Sequence, residues 1–240
     1  MALNVCVTVD MEQDCPPYLD TWRGVEQGAP IALELLHEEG IPETFFLTGE
    51  LARRFPATVR AILEAGHEVG GHGDTHRRFD RMDTEAARAE IRKSTATLRA
   101  FCPVESFRAP NLQLPEEYLP LLDEEGYRLD SSAARYKVPR GRVCRAGSLL
   151  RVPASVTSSA LRLPAWLRDA LLARLRDPVV LFVHPWEFVD LSRERLRIDC
   201  RFRTGEPARR SLQETIRFFK RRDASFGRMR DLPAVRGLRV

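Results

Sequence analysis

The chain has 240 residues, 43% of them hydrophobic and 30% charged, with a net charge of +4. That composition is ordinary for a globular protein and excludes a fibrous, low-complexity or disordered chain. The mild positive balance is almost all arginine, lysine occurring only at Lys93, Lys137 and Lys220, and is weak ground for a nucleic-acid-binding surface.

Leu3 to Val9 is short, apolar and β-branched, which predicts a buried strand, and it runs into the acidic stretch Asp10-Met11-Glu12-Gln13-Asp14. After Pro16-Pro17, Ala29 to Glu39 places Ile31, Leu35 and Leu36 at helical spacing and stops at Gly40. Thr44 to Thr48 predicts a second strand, and two short helices split by Pro56 follow, the second ending at Gly66. His67 to Gly71 is a third strand leading to His72 and His76, and Thr84 to Phe101 a long helix with Asp83 or Thr84 as N-cap. Val104 to Phe107 predicts a fourth strand before Arg108-Ala109-Pro110-Asn111, and Pro115 to Glu125 a helix closed by Gly126. Tyr127 to Leu129, ahead of Asp130-Ser131-Ser132, is a fifth strand. Residues 133–145 read as an irregular basic loop, and Leu149 to Val152 as a sixth strand. A helix over Pro164 to Arg176 precedes the apolar seventh strand Val179 to Val183, which leads to His184-Pro185-Trp186-Glu187. The helix Ser211 to Arg222 follows, and the tail has room for one more short strand.

The five cysteines, Cys6, Cys15, Cys102, Cys144 and Cys200, are odd in number and form no CxxC pair. They signal neither a cysteine zinc site nor a disulfide framework, and reduced thiols are expected. No basic leader precedes the first strand, and no apolar run approaches the roughly 18–20 residues that span a bilayer. A cytoplasmic location is therefore the expectation.

Strand and helix alternate about seven times, and the strands are apolar enough to be covered on both faces, as in a parallel sheet. Parallel α/β folds carry their sites at the carboxyl ends of strands. Asp10, Glu12, His72, His76, Arg108, Asp130 and His184 all follow predicted strands. An open sheet would scatter them, whereas a barrel gathers them at one mouth. The expected architecture is thus a single α/β domain over residues 1–240, a distorted (β/α) barrel of about seven strands.

His72 and His76 are four residues apart, so a helical turn near Asp74 would bring both imidazoles to one side. Two histidines and a carboxylate suit a divalent metal with open positions for water and a substrate oxygen. A carboxylate beside the metal could serve as general base, a far-side histidine could protonate a leaving amine, and an arginine could hold the base. These are the groups needed for amide hydrolysis without a covalent intermediate.

Five stretches then occur in a telling order: Thr8-Val9-Asp10-Met11-Glu12, His72-Gly73-Asp74-Thr75-His76, Arg108-Ala109-Pro110, Asp130-Ser131 and Leu181-Phe182-Val183-His184. Together with Thr44-Phe45-Phe46 and Gly66-His67-Glu68-Val69-Gly70, they resemble the motifs of the polysaccharide deacetylases, the NodB-homology domain of the carbohydrate esterases. The resemblance covers roughly residues 3 to 230. It implies a metal-dependent hydrolase of carbon–nitrogen bonds that removes the acetyl group from an amino sugar or an oligosaccharide. By motif position, Asp10 would be the base, His184 the acid, Arg108 the residue that steadies Asp10, and Asp130 the residue that tunes His184. Glu12, His72 and His76 would bind the metal, most often zinc, with cobalt, nickel or iron as alternatives. A backbone N–H near Asn111 would bind the oxyanion, and Trp186, like Trp22, could line a sugar subsite.

The first motif departs from the usual adjacent pair of aspartates, because Met11 separates Asp10 from Glu12. Residues two apart on a strand face the same way, so Glu12 is the expected acidic ligand, with Asp14 as its rival. Cys200 and Arg203 stand in a late loop that could meet substrate. Rival readings are a hydrolase of cyclic amides or ureides on the same fold, a non-catalytic carbohydrate-binding relative, and a nucleic-acid binder using the arginines between Arg193 and Arg210. The last is the least expected, since these arginines suit a solvated face.

Overall fold

A computed structural model describes residues 2–232. The secondary-structure elements, in chain order, are β1 (Asn4–Met11), α1 (Ala29–Glu38), β2 (Thr44–Leu47), α2 (Gly49–Arg54), α3 (Pro56–Glu64), β3 (Glu68–Gly71) and α4 (Thr84–Arg99). Then come β4 (Ser106–Phe107), α5 (Leu119–Glu124), β5 (Leu129–Asp130), β6 (Cys144–Ala146) and β7 (Leu149–Arg151). The last group is α6 (Ser158–Leu161), α7 (Ala165–Leu172), β8 (Val179–Val183), α8 (Ile198–Arg201), α9 (Glu206–Lys220) and β9 (Ser225–Phe226). α4 begins as expected, with Asp83 Oδ1 accepting from the Ala86 N–H at 2.8 Å.

The sheet runs β6-β7-β5-β4-β3-β2-β1-β8, with β9 paired to the start of β1. Every pairing is parallel except β6–β7. The sheet curls until the chain beyond β7 meets β8, where the Ser155 N–H donates to the Val180 carbonyl at 2.7 Å and Ser155 Oγ accepts from the Val180 N–H at 3.0 Å. The staves are therefore β1, β2, β3, β4, β5, β7 and β8, the distorted seven-stranded barrel expected from the strand–helix rhythm. β6 lies outside that expectation: the sequence of residues 133–145 predicts a loop, yet Cys144–Ala146 pairs with β7 around Gly147. Its side chains face mostly outward, so no apolar alternation marks it.

Alternation along β1 divides the barrel from its shell. Val5, Val7, Val9 and Met11 pack outward against the helices, while Cys6 joins the interior cluster with Phe46, Leu150 and Val180. Phe46 lies over Gly70 on the neighbouring strand, where a Cβ would come within 2.7 Å of its ring. On the outside, α9 presents Leu212, Ile216 and Phe219 at helical spacing to the same core as Leu35 and Leu36 of α1.

The amino-terminal end of the barrel is closed. Thr44 Oγ1 accepts from the Met229 N–H at 2.8 Å, and Glu68 accepts from Thr44 Oγ1 at 2.7 Å, from Ser106 Oγ at 2.5 Å and from the Arg230 N–H at 3.1 Å. Met229 and Leu232 fill the space below Phe46. The interior is therefore reached from the other end, where the strands finish.

Candidate active site

A cavity of about 390 Å³ opens at that end, with Asp10, Glu12, His72, His76, Asn111, His184 and Trp186 in its wall. Asp10 and Glu12 reach it because they continue the inward-facing series of Thr8 on β1. Glu12 Oε2 lies 3.3 Å from His72 Nε2 and 2.5 Å from His76 Nε2. One donor atom from each of these three residues falls within a 4.8 Å span.

The two histidines arrive by different routes. His72 directly follows β3, and its Nδ1 donates to the Arg108 carbonyl at 2.7 Å, which leaves the Nε2 lone pair facing Glu12. His76 is not on a helix, contrary to the expectation from spacing: Gly73 and His76 both have left-handed backbone, with φ of 74° and 57°. The loop is held instead by α4. Glu90 accepts from the Asp74 N–H at 2.8 Å, the Thr75 N–H at 2.9 Å and Thr75 Oγ1 at 2.6 Å, while Asp74 pairs with Arg53 and Lys93.

Asp14, the rival ligand, is turned away from the histidines. It accepts from Thr21 Oγ1 at 2.6 Å and from the Gly24 N–H at 2.8 Å, and so shapes the loop after β1. Glu12, His72 and His76 fit a divalent metal. His76 Nε2 is buried without a hydrogen bond, His72 presents a free lone pair, and one carboxylate with two imidazoles is a donor set for zinc and its neighbours.

Arg108, fully buried after β4, donates from Nη1 to Asp10 Oδ1 and Thr8 Oγ1, both at 2.6 Å, and from Nη2 to Ser131 Oγ at 3.0 Å. Its guanidinium lies 4.3 Å over the Phe46 ring. Asp10 is thus oriented by arginine and stands apart from the histidine cluster.

Across the cavity, His184 Nε2 is 3.8 Å from Glu12 Oε1, and its ring stacks on Trp186 at 4.7 Å. The expected pairing of Asp130 with His184 is not formed. Asp130 lies at the end of β5 and accepts from Arg151 Nε at 2.8 Å and from the Ser132 N–H at 3.0 Å, because register sets it beside Arg151 of β7. The acid on His184 is Glu187, whose Oε1 meets Nδ1 at 2.8 Å and also accepts the His184 N–H at 3.0 Å. Behind it, the buried Arg162 places Nε 2.9 Å from Glu187 Oε2. Glu187 stands three residues after His184 in the sequence, a spacing that could have flagged it; nothing in the sequence marks Arg162.

These contacts set the charge states. Burial alone would raise Glu12, but His76 and His184 outweigh it and hold the carboxyl well below its usual range. Burial opposes a charged His184, yet Glu12, Glu187 and Asp10 push it up to about 9. Glu187 is lowered despite burial by Arg162 and His184. Trp22 packs against Phe55 with Arg54 over its ring, away from the cavity. Cys200 reaches the cavity wall, whereas Arg203 does not line it.

Residues 11–129, about half of the chain, match the family described as polysaccharide deacetylase. The chain belongs to the polysaccharide deacetylase family. Among curated relatives, a chitooligosaccharide deacetylase of Sinorhizobium fredii is 30% identical over 79 residues, 33% of this chain and 37% of the relative. The chain spans about a third of the length of the first curated relatives it matches. Solved structures of the same fold include a CE4 family pseudoenzyme from Bacillus anthracis, with TM-score 0.65 and 17% identity over 95% of this chain and 64% of that one. A family 4 carbohydrate esterase from Streptomyces lividans, in complex with acetate, gives TM-score 0.64 and 15% identity over 93% and 91%. No described helix of this deacetylase-family chain is long and apolar enough to cross a membrane.

Proposed function

We propose that this chain is a metal-dependent hydrolase that removes the acetyl group from the nitrogen of an amino sugar, alone or within an oligosaccharide. One observation carries the reading. Asp10 is held by Arg108 on one side of the cavity, His184 is held by Glu187 on the other, and Glu12, His72 and His76 lie between them.

Glu12, His72 and His76 would hold a divalent ion, with zinc the best fit. Such an ion would polarise the amide carbonyl and make a water acidic enough to attack it. Asp10, oriented by Arg108, accepts the proton of the attacking water. His184, kept protonated by its carboxylates and fixed by Glu187 on Nδ1, presents its Nε2 proton to the departing nitrogen. A backbone N–H near Asn111, on left-handed backbone in the cavity wall, would bind the developing oxyanion. Trp186 keeps His184 in plane by stacking and gives the cavity an apolar wall.

A non-catalytic binding role is disfavoured because both the base and the acid are present and oriented. A cyclic-ureide hydrolase would use the same groups, so substrate decides between them. The test is acetate release from N-acetylglucosamine oligomers beside ring opening of cyclic ureides, with metal content measured in parallel. Asp10→Asn is expected to keep its metal and lose about 10²- to 10⁴-fold in turnover. Equal turnover would remove Asp10 from this role.

A further inference from the structure

We propose that Cys15 and Cys200 form a reversible disulfide in the wall of the cavity. They are 185 positions apart, so their spacing in the sequence gives no hint of a pair. Cys15 lies three residues beyond Glu12, buried in an apolar cluster with Trp186, Val189, Leu191 and Leu196. Cys200, on α8, packs against that cluster and is partly exposed. Both line the cavity.

The two cysteines share one apolar cluster and one cavity wall, and they differ in exposure: Cys15 is buried and Cys200 is not. The contact with Cys200 and burial both raise Cys15. Water reaches the Cys200 sulfur and not that of Cys15, so Cys200 is the one favoured as thiolate and Cys15 keeps its proton. The remaining cysteines sit elsewhere: Cys6 inside the barrel, Cys102 in a groove with Arg99 and Arg128, and Cys144 exposed on β6.

The oxidant is a low-molecular-weight disulfide such as glutathione disulfide. The Cys200 thiolate attacks one of its sulfurs, a mixed disulfide forms, and one glutathione leaves as thiolate. That thiolate, or solvent, takes the Cys15 proton. Cys15 then attacks Cys200 Sγ, the mixed bond breaks, and the second glutathione leaves. Two protein thiols are oxidised and one disulfide is reduced to two thiols. The product ties the loop behind Glu12 to α8, fixing the wall that carries Arg197 and Asp199.

The proposal rests on the geometry of the two thiols and not on the hydrolytic reading, so it is tested without an activity assay. The full chain is incubated with excess glutathione disulfide, alkylated, and mapped without reduction. The expected result is a linked Cys15–Cys200 peptide pair lighter by two hydrogens and restored by dithiothreitol, with Cys144 carrying a single glutathione. Cys15→Ser should trap Cys200 as the glutathione adduct, and Cys200→Ser should leave Cys15 unmodified. The proposal is overturned if Cys15 and Cys200 are recovered unlinked, whether alkylated or glutathionylated, while Cys144 is fully modified.

Discussion

Arg108→Met tests the part of the site that is most deeply buried. Met keeps much of the arginine stem's volume over Phe46 but removes the charge. In the native protein, the fully buried guanidinium supplies Asp10 with a 2.6 Å charge-assisted hydrogen bond and also satisfies Thr8 and Ser131. Without it, Asp10, only 3% exposed, is a buried carboxylate with no hydrogen-bonded counter-charge. Removing one partner of such a pair costs about 3–5 kcal/mol. At about 2–4 °C per kcal/mol for a chain of this size, the melting temperature should drop by roughly 6–20 °C. Asp10→Asn should cost less, because Arg108 keeps Thr8, Ser131 and the Phe46 ring. The double variant leaves no uncompensated charge and should fall short of the sum by about 1–3 kcal/mol. Urea denaturation of all four proteins closes the cycle. A wild-type midpoint for Arg108→Met, or strict additivity, would refute the argument that Arg108 holds Asp10.

Two further predictions concern proton equilibria. Glu187→Gln removes a charge that favours protonated His184, which stands at about 9. The imidazole should therefore lose its proton at lower pH, and the alkaline limb of the turnover–pH profile should move to lower pH, while an unmoved limb would exclude Glu187 as the partner. Glu43 is fully buried and raised well above its usual value by burial, against a weak opposing contact from the Val7 N–H. The folded state thus keeps this proton after the unfolded chain has lost it at about pH 4.3. Stability from this group is full below that value and is lost as pH rises through the folded value. Glu43→Gln should abolish that decline and stabilise the protein at neutral pH by about 1–3 kcal/mol, read as urea midpoints across pH.

The sequence is most legible where one local rule decides the outcome. The period of two along β1 puts Thr8, Asp10 and Glu12 on one face, and strand–helix alternation with double-sided burial yields the barrel and the mouth where its strands end. It is least legible where a side chain's partner depends on register or on a distant element. Asp130 meets Arg151 because β5 pairs with β7 in one register. His76 is aimed by Glu90 from α4 and not by a helical turn of its own. Arg162 reaches Glu187 across a fold contact, and Cys15 finds Cys200 across 185 positions, neither of which any local period encodes.

The two arginine–carboxylate pairs at the mouth make a physical case of their own. Burying Arg108 with Asp10 and Arg162 with Glu187 removes four charges from water, and such pairs are often no more stabilising than apolar residues of the same shape. Their placement, however, separates the two groups proposed as base and acid. Asp10 faces Arg108 and so does not collapse onto His184, while His184 faces Glu187 and so keeps a proton beside a buried carboxylate cluster. A cavity built only to hold a sugar would gain more from aromatic walls and neutral hydrogen-bond partners than from this arrangement. Stability alone does not account for two oriented side chains, one held by arginine and one by a carboxylate, beside Glu12, His72 and His76, and the proposed amide hydrolysis would use both.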